Sequence, residues 1–231
     1  MRRTRRTLVK GLGVLATYST FATMTPPNAL AADARSQELI DVRATPLYRW
    51  SNNKGARREV AVQPKHAGEK DGFEWRIGIA YVTGDAPFSA FPGIDRWIVL
   101  LGGNGISMRS TDGSIDRKLD QPLEAFAFSG DTPIESQALN GNCDLFNVLV
   151  QRARYQASVD PIGSRRQLDA FAGATLLYSV HDSLRYHVAA QKEATLAPGE
   201  AVLWRNGCPS MMVRSSSDKA AGILVRISAR A

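Results

Sequence analysis

An all-β fold, a sandwich or barrel of jelly-roll type, is what this sequence predicts. Three observations carry the prediction: one clean period-two run, many short strand candidates separated by turn markers, and the lack of a convincing amphipathic helix longer than two turns. The 231 residues, 44% hydrophobic and 22% charged, have the composition of a folded chain with one sizeable domain or two small ones.

The period-two run is "FEWRIGIAYV", residues 73–82. Phe73, Trp75, Ile77, Ile79 and Tyr81 fall on one face and Glu74, Arg76, Gly78 and Ala80 on the other, the pattern of a half-buried strand. Further strands are expected at 97–101, 106–109, 123–128, 146–151, 174–180, 184–189, 201–205 and 222–227. Between them stand turn signals: residues 102–105 (Gly-Gly-Asn-Gly), Asp112-Gly113, Asn140-Gly141 and Pro198-Gly199. A short helix is expected only at 164–171. Pro92-Gly93 and Pro198-Gly199 each precede a strand, a faint sign of duplication.

Ahead of the domain, residues 1–31 read as an export signal. Arg5-Arg6 precede Leu8, Val9 and Lys10 in the manner of a twin-arginine signal, and Ala29-Leu30-Ala31 and Ala32-Asp33-Ala34 both offer small-x-small cleavage sites. The apolar stretch from Gly11 to Met24 is shorter than the ~20 residues that span a bilayer, so no stable membrane anchor is expected. A periplasmic or secreted destination follows, with residues 32–45 as a linker.

The formal charge of +7 belongs mostly to that leader. Without its four arginines and one lysine, 24 basic side chains face 22 acidic ones, which argues against nucleic-acid binding. Cys143 and Cys208, the only cysteines, permit one disulfide in an oxidising compartment, or else remain two partly buried thiols. His66, His181 and His187 lack metal-ligand spacing and no Cys-x-x-Cys occurs, so no metal and no cofactor are expected. No Gly-x-Ser-x-Gly elbow supports nucleophilic catalysis, and the glycine cluster at 102–105 lacks the helix a phosphate cradle needs.

The segment most suggestive of a site is "DAPFSAFPGIDR", residues 85–96. Pro87 and Pro92 fix two φ angles, Phe88 and Phe91 can plug a barrel mouth, and Gly93 permits a tight reversal. Ser89, Asp95 and Arg96 would then stand at defined positions around an apolar pocket. For a carboxylate guest, Arg58, Arg76, Arg96 and Arg152 offer the paired N–H donors that match two oxygens. Asn52 and Asn147 can donate or accept beside them, and Trp50 supplies a flat wall. The competing reading pairs these arginines with Glu59, Glu74, Asp95 or Asp131 as structural stitches.

Residues 73–106, "FEWRIGIAYVTGDAPFSAFPGIDRWIVLLGGNGI", resemble the signature block of the HutD/Ves family, F-x-W-R-x-S-x-A followed by D-G-P-F-S-x-F-P-G-x-D-R. "WSNNKGARRE" is similar to that family's W-K-N-G-G-G-x-T-R-E segment, and "FSGDTPIESQALNGNCDLFNVLVQR" to its later blocks. The resemblance implies a cupin-like double β-barrel, a bicupin, over residues 46–231 with halves at about 46–150 and 151–231. It also implies a small anionic ligand of the formylglutamate or urocanate kind. The candidate ligand-binding residues are Trp50, Asn52, Arg58, Glu59, Arg76, Phe88, Ser89, Phe91, Asp95, Arg96, Asn147 and Arg152. A sensing or regulatory role tied to histidine utilisation or stress is part of the same implication. Asn53, Lys54, Arg57 and Ala86 depart from the family pattern, and Asp144 sits three residues before Asn147 rather than two, on the opposite strand face.

The leading expectation is therefore an exported, metal-free binding module for a small anionic metabolite, with a homodimer left open. Two other classes stay open: a metal-free isomerase or hydrolase using Asp85, Asp95 or Asp131 as general base, and a structural protein that takes a partner on a sheet edge.

Overall fold

The computed structural model describes residues 36–67, 72–217 and 219–231. In chain order its strands are β1 (Gln37–Asp41), β2 (Leu47–Arg49), β3 (Gly55–Gln63), β4 (Trp75–Val82), β5 (Ala86–Pro87), β6 (Ile94–Gly103), β7 (Ile106–Ser110), β8 (Asp116–Leu119), β9 (Ala125–Ser129) and β10 (Ile134–Ala138). They continue with β11 (Cys143–Gln151), β12 (Tyr155–Ile162), β13 (Arg165–Leu168), β14 (Ala174–Ser179), β15 (Leu184–Val188), β16 (Ala194–Leu196), β17 (Glu200–Trp204), β18 (Met211–Ser215) and β19 (Gly222–Ala229). All their pairings are antiparallel.

Four sheets make two barrels of one plan. The first barrel combines the order β2-β3-β4-β11-β6-β9 with β5-β10-β7-β8, and the second combines β1-β17-β14-β19-β12 with β13-β18-β15-β16. Superimposing the orders matches β4, β5, β6, β7, β8, β9, β10 and β11 to β12, β13, β14, β15, β16, β17, β18 and β19 in sequence order. Duplication is thus a property of the topology, but the two Pro-Gly pairs do not mark it: Pro92-Gly93 precedes β6, whose counterpart is β14, whereas Pro198-Gly199 precedes β17, the counterpart of β9. What differs is the flank: β2 and β3 extend the first barrel's large sheet, whereas β1 extends that of the second.

Strand alternation sorts the apolar residues into three principal cores. Trp75, Ile77 and Ile79 of β4 and Phe146, Val148 and Val150 of β11 pack on Leu176 and Tyr178 of β14, Leu203 of β17 and Val225 of β19, a seam between the two large sheets. Phe146 stacks on Tyr178 across it, centroids 5.7 Å apart. The opposite faces of the large sheets look into the barrels. Ile98, Leu100 and Leu145 meet Ile106, Met108 and Leu119 in the first, and Leu177, Val202 and Leu224 meet Leu184, Tyr186 and Val213 in the second. Arg205 pins the barrels together: it donates to the Val62 carbonyl at 2.9 Å and to Glu38 at 2.9 Å while its guanidinium lies 5.4 Å from the Trp75 ring.

Several expectations change. Residues 164–171 contain strand β13 rather than a helix, because Arg165 to Leu168 pair with β18. Residues 37–41, assigned to a linker, form β1 and pair with β17 along their whole length. The strand expected at 123–128 begins at Ala125, since Leu123 takes a φ of 62°. The strand from Trp75 is covered on both faces, and Arg76 is only 8% exposed. Cys143 and Cys208 are free thiols buried in different barrel cores, and no disulfide joins them. The proposed signal, residues 1–31, lies outside the described residues.

The seam gives a first prediction. Phe146→Ala should cost about 3–5 kcal/mol in urea unfolding, as expected for a fully buried aromatic; a loss under about 1 kcal/mol would mean that the seam contributes little to joining the barrels.

Candidate functional site

The first barrel is only partly filled. Toward its other end a cavity of about 720 Å³ opens, lined by Trp50, Asn52, Arg57, Arg58, Glu59 and Arg76 on one side and by Phe88, Ser89, Phe91, Arg96, Asn147 and Leu149 on the other. Register explains the lining. On the inward face Arg76, Leu149, Arg96 and Phe128 form one cross-strand row of neighbours, and Gly78, Asn147, Ile98 and Phe126 form the next. The polar members of these rows, Arg76, Arg96 and Asn147, face the hollow, and the apolar rows beyond them close the barrel floor.

Arg96 sits deepest in charge terms. It is 8% exposed, and the rings of Phe88, Phe91 and Phe128 surround its guanidinium at 5.1, 5.3 and 5.0 Å. One Nη donates to the Ser89 carbonyl at 3.1 Å, while Nε is buried without a partner. No carboxylate among the described residues lies within ion-pair distance of it. Burial lowers its pKa to about 10, so the charge persists at neutral pH. The phenylalanines that cage it come from the loop following β5 and from β9, which is why two prolines and two phenylalanines crowd into residues 87–92.

A second polar group faces it. Glu59 forms ion pairs with Arg76, whose Nε lies 3.2 Å away, and with Arg57 at 3.6 Å, and Arg57 also lies 4.8 Å over the Tyr48 ring. Glu59 and Arg57 reach the hollow because β3 lies beside Gly78 and Ala80 of β4. Gly78 is required there: a Cβ would stand 2.7 Å from the Arg58 carbonyl oxygen. Among the described residues, Arg49, Arg57, Arg58, Arg76 and Arg96 line the cavity against the single carboxylate of Glu59. The β2–β3 hairpin supplies the outer wall, with Trp50 bonded back to the Gly55 carbonyl at 3.0 Å.

Ten of the twelve residues singled out from sequence border this cavity: Trp50, Asn52, Arg58, Glu59, Arg76, Phe88, Ser89, Phe91, Arg96 and Asn147. Arg58 does so with its guanidinium already donating to the Thr45 carbonyl. Asp95 and Arg152 do not line it. Alternation along β6 turns Asp95 away from Arg96, and Arg152 follows the end of β11, where it binds Asp95 at 2.6 Å and Asp131 at 2.7 Å. For these two the stitching role is what the geometry shows.

Asp85 and Asp131, offered with Asp95 as general bases, are likewise outside the cavity. Asp85 accepts the Ala138 N–H at 2.8 Å. Asp131 accepts the Gly93 N–H at 2.6 Å, and that bond, with Arg152 and Ser129, holds its pKa down to about 2, the reverse of what a general base needs. Asp144 lies on the face of β11 opposite Asn147, with its pKa raised by burial. Arg57, Tyr48 and Ser136 are cavity residues that sequence reasoning missed. The signal for Arg57 was present: it stands two residues before Glu59, on the same face of a strand. Among the described residues no group of three or more His, Cys, Asp or Glu side chains converges as a metal site would require.

Two jelly-roll barrels packed sheet to sheet define a cupin-like double barrel. The chain belongs to the HutD family, whose model matches residues 41–222. It is 30% identical over 156 residues to a 21.2 kDa protein in the hutC 3' region of Pseudomonas putida, covering 67% of this chain and 80% of that protein. Protein Ves of Escherichia fergusonii is 34% identical over 123 residues, 53% of this chain and 62% of its own length. Among solved structures, a conserved protein of Pseudomonas aeruginosa PAO1 superposes with a TM-score of 0.72 at 25% identity, over 85% of this chain and 100% of its own. HutD from Pseudomonas fluorescens SBW25 superposes with 0.71 at 22%, over the same shares. A cupin 2 conserved barrel domain protein of Leptotrichia buccalis shares the fold at 12% identity with a TM-score of 0.50, over 84% of this chain and 96% of its own.

The Asp131 contacts that anchor the loop yield a pH prediction. A carboxyl lowered from 3.8 to about 2 stabilises the fold above its ordinary pKa, and that contribution is lost as pH falls toward about 2. Asp131→Asn should therefore narrow the melting-temperature gap to the parent protein as pH drops through this window. Curves that stay parallel from pH ~5 to pH ~2 would contradict the assignment.

Proposed function

We propose that this protein is a binding or sensing module for a small anionic metabolite held in the first barrel. One observation carries the reading: Arg96 is a buried cation at the cavity wall with no carboxylate partner among the described residues. A charge taken out of water without a counter-ion is costly, on the order of several kcal/mol, and three ring faces at about 0.5–2 kcal/mol each offset only part of it. A carboxylate entering the cavity would supply the missing charge and accept from Nε.

The aromatic cage favours a ligand whose anionic group is carried on a flat or apolar body, and Glu59, held between Arg57 and Arg76, offers an acceptor for an N–H on the same molecule. Urocanate-like acids meet both requirements, formylglutamate-like acids meet the second through their formamide N–H, and the hutC-region relative supports a link to histidine use. Export directed by residues 1–31 and a regulatory rather than catalytic role complete the proposal. No established enzyme step is needed for it.

The test is a thermal-shift titration with small carboxylic acids of these two types. Ligand at 100 times Kd should stabilise the protein by ~2.7 kcal/mol. Arg96→Met should abolish that response while leaving the ligand-free melting temperature equal to or above the parent's, because it replaces an uncompensated charge with an apolar chain. A variant that still responds fully to ligand would remove Arg96 from the site, and a parent that responds to no such acid would remove the proposed ligand class.

A further inference from the structure

The duplicated topology allows the two barrels to be compared position by position. In the first barrel the inward row that contains Arg96 reads Arg76, Leu149, Arg96, Phe128 across β4, β11, β6 and β9. The matching row in the second barrel reads Ser158, Arg226, Thr175, Trp204 across β12, β19, β14 and β17. Arg226 alternates with Leu224, and Thr175 with Leu177, so the row faces the interior that Trp204 shares with those leucines. A cation, a hydroxyl and an indole N–H therefore stand side by side on adjacent strands, where facing side chains lie roughly 5 Å apart.

Arg226 Nε and Trp204 Nε1 lack any hydrogen-bond partner, and the Thr175 hydroxyl has only the Cys208 thiol beside it, whose pKa burial pushes up to about 11 against that contact. Thr175 and Trp204 are 0% and 1% exposed, so bulk water cannot satisfy them. Such orphans cost about 1–3 kcal/mol each and are uncommon singly, let alone as neighbours. Beyond Nε, Arg226 donates to the Asp169 carbonyl at 3.0 Å and packs 5.2 Å over the Phe171 ring. Phe171 comes from the segment before β14, as Phe88 and Phe91 come from the segment before β6, so each barrel sets an aromatic from that connection over an arginine. No carboxylate of the described residues pairs with Arg226.

We propose that the second barrel holds its own site for one small monovalent anion, of halide to small-carboxylate size, bound by Arg226 Nε, Thr175 Oγ1 and Trp204 Nε1. The chemistry follows from the inventory: guanidinium and indole nitrogens only donate, and a hydroxyl can turn its hydrogen toward the same centre, so the guest must be an acceptor. Its charge complements Arg226. This site is separate from the first-barrel cavity, does not depend on what that cavity binds, and borders the apolar core of the second barrel.

Bromide is the probe. Crystals of the protein soaked in sodium bromide should show an anomalous peak at hydrogen-bonding distance from Trp204 Nε1 and Arg226 Nε. Arg226→Gln crystals soaked alike should lose that peak while keeping the parent's fold. Thr175→Val, close in shape but without the hydroxyl, should weaken it at an unchanged fold. A water in that position, no density, or a bromide peak indifferent to Arg226→Gln would each overturn the proposal.

Discussion

A buried guanidinium without a counter-ion is the constraint around which the first barrel is arranged. Arg96 must stay charged, because burial lowers its pKa only to about 10. The chain answers with three phenylalanine faces and one backbone carbonyl rather than with a carboxylate. Those rings must be held rigidly to serve, and the means are visible: Phe88 N–H donates to the Ile134 carbonyl, Phe91 N–H to the Gly130 carbonyl, and Asp131 caps Gly93. Arg152, Asp95 and Asp131 then anchor the loop from outside. Residues that touch no cavity thus fix the geometry of the one that does.

Duplication separates folding from function. Both barrels share an eight-strand plan and a common seam, and that seam demands apolar residues on the outward faces of β4, β11, β14 and β19 alike. The inward faces are freer. In the second barrel they are filled nearly throughout by leucine, valine and aromatic side chains. In the first, arginine, glutamate and asparagine replace that filling at one end, and the hollow follows. The extra strands β2 and β3 matter here, since they bring Glu59, Arg57 and the Trp50 wall to the open edge of β4.

How much of this was legible in the sequence depended on whether a local pattern survived. The run from Trp75 was readable because its alternation is unbroken, and Arg96 because prolines and phenylalanines mark the loop before it. Strand β3 went unseen: a register shift between Glu59 and Ala61 interrupts the period of two, and its first half is charged. Strand β1 was hidden because only its partner β17, over 150 residues away, makes it a strand. Strand β13 reads as a helix from its own residues for the same reason, since only its pairing with β18 makes it a strand. Asp95 and Arg152 were grouped with the site on residue type alone, yet counting by twos from Ile98 and Leu100 already separates Asp95 from Arg96. Residue type announces chemistry; only the face tells where it points.

The most direct measurement of the central claim is the NMR signal of the Arg96 Nε–H group, followed as a small carboxylic acid is titrated in. The account predicts that this proton, unpartnered in the free protein, moves downfield and exchanges more slowly with water as the acid binds, while the Arg152 signal stays fixed. An Arg96 resonance that does not change at saturating acid, or a free protein in which it already reports a strong hydrogen bond, would contradict it.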